Sequence, residues 1–134
     1  MKNYAIGLLS LVLALVLGLE ASARFRRDSG PKLAHMVFFG LKDKAPETRQ
    51  RFLASCDRLL RGHEGTVSYS VGFRADDVDE PVSVKDFDIA LHLVFASKEA
   101  KLNYLKDPRH DQFVEENREL FDKVWVYDSY LQSE

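Results

Sequence analysis

Phe87-Asp88-Ile89-Ala90-Leu91-His92-Leu93-Val94-Phe95 is the stretch that decides the fold. Phe87, Ile89, Leu91, Leu93 and Phe95 fall on one side of an extended chain, and Asp88, Ala90, His92 and Val94 on the other. The first set is wholly apolar and the second is half apolar. This is a strand with one face in a core and the other against something drier than water.

Working outward, Leu33 to Lys42 (LAHMVFFGLK) reads as an earlier strand, with His35, Val37 and Phe39 on one face and Met36 and Phe38 on the other. Pro46 suits the first turn of a helix. Phe52, Leu53, Cys56, Leu59 and Leu60 follow at helical spacing, and Gly62 closes it. Thr66 to Arg74 alternates and predicts a strand with Val67, Tyr69 and Val71 on one face. Ala75 to Asp86 is acidic, contains Pro81 and predicts a solvated loop, because calcium-loop spacing is absent.

Ser97 is a good N-cap for a helix that Asp107-Pro108 breaks. A further helix is expected from about His110 to Asp122, with Phe113, Val114, Asn117, Leu120 and Phe121 on its stripe. Val124 to Leu131 predicts the last strand, with Val124, Val126, Asp128 and Tyr130 on one face.

The order β-α-β-β-α-β predicts an α+β domain of ferredoxin-like type, an antiparallel sheet with its helices on one face. Helices on one side leave the other apolar side bare. A symmetric homodimer with facing sheets, a dimeric α/β barrel, is the simplest cover.

The chain has 134 residues, 46% of them hydrophobic, and a net charge of −2. That suffices for one packed domain and gives no general attraction to nucleic acid. The lone Cys56 excludes an internal disulfide and reads as a small core residue. The four histidines lack zinc spacing, and no glycine loop of phosphate-binding type is present, so neither a metal nor a cofactor is expected.

Residues 1–23 read as a secretory signal peptide. Lys2 precedes an apolar run from Ala5 to Leu19, and Ala21-Ser22-Ala23 has the small-x-small cleavage pattern. As a helix the run spans roughly 22 Å, short of the ~30 Å hydrocarbon core. Residues 24–32 form a linker and 33–132 the domain. The expected location is secreted or periplasmic, with no stable membrane partner. The alternative is an uncleaved anchor, because Arg24, Arg26 and Arg27 follow the run directly.

Three segments carry a family resemblance. His35-Met36-Val37-Phe38-Phe39-Gly40-Leu41-Lys42-Asp43 resembles the opening strand of the stress-responsive A/B-barrel (Dabb) family. Tyr104-Leu105-Lys106-Asp107-Pro108-Arg109-His110-Asp111-Gln112-Phe113-Val114 resembles its Tyr-x-x-His-Pro-x-His-x-x-Phe signature, and Val124-Trp125-Val126-Tyr127-Asp128 its last strand. The resemblance implies a dimeric α+β barrel. A plant polyketide cyclase of this family works without metal or cofactor. Its chemistry needs a base beside a carbonyl, a donor for the developing oxyanion and a shaped apolar cavity.

Carried over, His110 would be the base, Asp128 would orient its ring, Tyr104 would donate to the carbonyl, and His35 would line the ligand pocket. The chain departs from the pattern at Asp107, where the signature has its first histidine, and at Ile89, where the cyclase has a pocket histidine. The bland alternatives are a helix-start histidine for His110, a core tyrosine for Tyr104 and a hydrogen-bonded core histidine for His35. Three functions stay open. The first is a homodimer binding a small apolar ligand. The second is a cofactor-independent cyclase-like or isomerase-like enzyme. The third is a scaffolding dimer whose pocket is filled by Phe52, Phe113 and Phe121.

Overall fold

The computed structural model describes residues 30–132, so the expected leader and most of the linker lie outside the described residues. Strand β1 is Leu33–Leu41 and helix α1 is Pro46–Leu60. Strands β2 (Thr66–Phe73) and β3 (Ile89–Phe95) follow, then helices α2 (Lys98–Lys106) and α3 (Pro108–Asn117). A short 3-10 turn, Arg118–Leu120, leads into β4 (Phe121–Tyr130). The sheet order is β2-β3-β1-β4 and every neighbouring pair is antiparallel. This is the ferredoxin-like arrangement that the strand patterns predict.

Local chemistry sets the boundaries. Asp43 accepts from the Ala45 amide (3.0 Å) and the Thr48 hydroxyl (2.5 Å), closing the turn into α1. Ser97 caps α2 by accepting from the Ala100 amide at 3.2 Å. Arg74 donates to the carbonyls of Lys85 and Phe87 and to Asp76, and so gathers the acidic loop at its base.

The core lies between the sheet and the helices. Leu33, Val37 and Phe39 of β1 and Ile89, Leu91, Leu93 and Phe95 of β3 pack against Phe52, Cys56, Leu59 and Leu60 of α1. Phe39, Phe52, Phe113 and Phe121 form a ring cluster with centroids 4.9–6.4 Å apart. Fully burying one such ring stabilises the fold by roughly 1.5–3 kcal/mol.

Three expectations need correction. Phe87 precedes β3 and its ring lies against Phe38 on the opposite face of the sheet instead of in the core. The last helix ends at Asn117, not near Asp122, and Phe121 opens β4 instead. Phe121 keeps its core position because the register shifts between Gly40 and Leu41, so that Leu41 pairs with Phe121 and Gly40 with Lys123. Val67 is exposed, because a second shift between Thr66 and Ser68 breaks the alternation there.

The opposite face of the sheet carries Met36 and Phe38 of β1, Ala90, His92 and Val94 of β3, and Trp125 and Tyr127 of β4. Phe38 meets Phe87 at 4.9 Å and Tyr127 at 5.9 Å between ring centroids. These residues border a groove of about 320 Å³ together with Val84 and Trp125.

Candidate ligand-binding cavity

A cavity of about 320 Å³ lies on the helix side, between β1, β4 and the α2–α3 wall. Its walls are mostly apolar, from Val37, Leu60, Leu105, Phe113, Val124 and Val126. Its polar end is made by His35, Lys101, Tyr104 and His110. Phe113 and Phe121 border the space without filling it.

The sheet register builds the first half of the polar end. His35 and Asp128 are cross-strand partners, and His35 Nδ1 lies 2.7 Å from Asp128 Oδ1. The other carboxylate oxygen of Asp128 accepts from Lys101 Nζ at 3.0 Å, tying β1, β4 and α2 together. Burial pushes the Asp128 carboxyl upward, but the bonds from His35 and Lys101 outweigh it and hold it below the usual carboxylate range. Burial likewise holds His35 below its ordinary value, against the pull of Asp128. The neutral ring donates from Nδ1 and keeps the Nε2 lone pair free.

The helices build the second half. Tyr104 is buried on α2, with ring contacts to His63 (4.9 Å) and His110 (4.8 Å) and a longer one to His35 (6.0 Å). Burial raises its phenol well above the ordinary tyrosine value, so the hydroxyl stays a donor. His110 sits in the first turn of α3. Among the described residues its buried Nδ1 has no hydrogen-bond partner, and burial lowers its basicity.

His35, Tyr104 and His110 therefore line one cavity. Asp128 stands behind His35, outside the lining. The resemblance pairs Asp128 with His110; the structure pairs it with His35 and Lys101, because the β1–β4 register sets it opposite His35.

Sequence reasoning misses Lys101 and His63. Lys101 carries no motif. His63, just past the end of α1, is buried, with Nε2 2.9 Å from the Leu59 carbonyl and Nδ1 3.1 Å from Asp107 Oδ2. Its position four residues after Leu59, at a helix C-terminus, is the signal that points to the first bond. Among the described residues no three His, Cys, Asp or Glu side chains converge as a metal site.

The family model for the Stress responsive A/B Barrel Domain matches residues 33–131. A Dabb family protein with a ferredoxin-like fold from Mesorhizobium loti is 21% identical over 78% of this chain and 100% of its own, with a TM-score of 0.65. A dimeric ferredoxin-like protein of unknown function from Thermobifida fusca is 13% identical over 77% of this chain and 93% of its own, also with a TM-score of 0.65. A hydroxynitrile lyase from Passiflora edulis is 18% identical over 78% and 96%, with a TM-score of 0.64. At such identities the likeness is one of fold. No curated protein matches the chain in sequence. The match spans the sheet, its helices and every residue of the cavity's polar end, and the chain belongs to the stress responsive A/B barrel domain family.

Proposed function

We propose that this chain is an exported homodimer in which each copy binds a small, largely apolar molecule with a carbonyl at one end. One observation carries the reading: the helix-side cavity is apolar on most sides and gathers its polar groups at one end. Such a shape orients an amphiphilic guest. Tyr104 and Lys101 are donors for a carbonyl oxygen, and the apolar walls take the hydrocarbon part. The uncovered sheet face with Phe38, Trp125 and Tyr127 supports the homodimer, as does the dimeric state of the Thermobifida fusca relative. Export rests on the leader pattern of residues 1–23. Mature protein beginning at Arg24 would support it, and retention of Met1 in the purified protein would overturn it.

Hexanophenone, a ketone with an apolar body, serves as a probe, and hexylbenzene as its counterpart lacking the carbonyl. Saturable binding of the ketone with shifts of the Val124, Val126 and Leu105 methyl signals is expected, with weaker binding of hexylbenzene. A filled-cavity variant, Leu105→Trp, loses both. No saturable shift at those methyls overturns the reading.

A second reading is cofactor-independent proton transfer at the bound carbonyl compound, favoured by the 2.7 Å His35–Asp128 pair and the neutral His110. A base at the polar end would exchange the hydrogens next to the ketone carbonyl with deuterium from solvent. His35→Gln and His110→Gln distinguish the two candidates. Exchange no faster than in buffer sinks this second reading and leaves binding intact.

A further inference from the structure

His63 is the most completely enclosed histidine outside the expected site, with a side chain 2% exposed. It bridges two helix ends. Nε2 is 2.9 Å from the carbonyl of Leu59 in the last turn of α1, and Nδ1 is 3.1 Å from Oδ2 of Asp107. Asp107 is the cap of α3, its other oxygen accepting from the Arg109 amide at 2.8 Å. That amide, more than His63, holds the Asp107 carboxyl below its ordinary value, so it faces the ring as a carboxylate.

A peptide carbonyl only accepts hydrogen bonds, and so does a carboxylate. A neutral imidazole has one donor and one acceptor. Either neutral tautomer would set a ring lone pair against an oxygen lone pair in a buried place. Both bonds are made together only by a ring carrying two protons. The surroundings suit that cation: the negative end of α1 on one side and the Asp107 charge on the other.

We propose that His63 is a positioning residue of the cavity, a cationic strut from α1 to the start of α3 that seats Tyr104 and keeps His110 uncharged. The inference rests on the cavity reading above and adds a residue that neither motif nor family pattern marks. His63 meets the Tyr104 ring edge-on at 4.9 Å and 90°, and His110 meets the same ring at 4.8 Å. A positive charge one ring away opposes protonation of His110, in the same direction as its burial. The other titratable and charged groups around this cluster are Asp111 beside His110, His35 on β1, Lys101 on α2, Cys56 on α1 beside Tyr104, and Arg109, whose guanidinium is held by the Arg61 carbonyl at 2.6 Å. Asp107, which stands where the family signature has its first histidine, is here a hydrogen-bond partner of His63.

The test uses the mature chain labelled with ¹⁵N-histidine, without ligand, so failure of ketone binding does not enter it. At neutral pH both His63 ring nitrogens are expected to give the signature of a protonated pair. In Asp107→Asn, which keeps a good cap but removes the charge, one of them should revert to the unprotonated type. In His63→Gln the protonation midpoint of His110 should rise by roughly half a unit or more. A merely structural role would not move that midpoint. A neutral His63 ring in the wild-type chain overturns the proposal, and so does an unmoved His110 midpoint in a folded His63→Gln variant. Should that variant fail to fold, the His63 ring signals of the wild type and of Asp107→Asn decide the matter: two protonated nitrogens that stay protonated without the carboxylate also overturn it.

Discussion

His35 and Asp128 are 93 residues apart in sequence and 2.7 Å apart in space, joined across the β1–β4 register. The imidazole is buried and the carboxylate half-exposed, so the bond matters more to the histidine than to its partner. Asp128→Ala leaves the His35 donor unpaired inside the fold. It is expected to lower unfolding free energy by about 1–3 kcal/mol, with Asp128→Asn costing less because an amide oxygen still accepts. Chemical denaturation of the three proteins checks the order.

Acid should loosen the fold in two stages. His35 and His110 are held below their ordinary value of 6.5 by burial. The unfolded chain therefore takes up protons first as pH falls below that value. Native stability is full above it and declines beneath it, down to the native values. Asp128, held below 3.8, acts in the same direction further down, its contribution lost as pH falls through its native value. Denaturation midpoints at about pH 7.5 and about pH 5.5 should differ in the wild type. The difference should shrink in the His35→Gln/His110→Gln double variant.

Phe38 lies on the uncovered sheet face, against Phe87 and Tyr127. Phe38→Arg puts a charge where a facing sheet would dry it. Light scattering after size exclusion should show the wild type as a dimer and this variant as a monomer. A monomeric wild type at micromolar concentration would remove the homodimer from the proposed function.

Gly65 has φ +77, and a Cβ added to it would lie 2.5 Å from the Cβ of Ala100. Gly65→Ala therefore meets both left-handed backbone strain and a collision with α2. A loss of roughly 2 kcal/mol or more is expected in thermal or chemical unfolding. Gly72→Ala, where nothing lies within 4 Å, serves as the near-neutral control.

The strands and their faces were legible because burial imposes a period of two on β1 and β3, and Ser97 announces its helix by its own side chain. Phe121 was harder. It fits a helical stripe after Phe113 and also a strand position beside Leu41, and only the register shift at Gly40 decides between them. The polar end of the cavity was half legible. Asp128 on an apolar strand face signals a buried partner, but which one depends on a strand register that no local pattern states. His63 was out of reach for the same reason, since Asp107, 44 residues away, supplies its second bond.

Asp107 ends α2 and caps α3 at once, leaving no spare chain between the two helices that wall the cavity. A corner so taut cannot swing outward like a door. In the proposed binding role a guest would find this wall already standing, with the exposed Val124 and Val126 of β4 also lining the cavity.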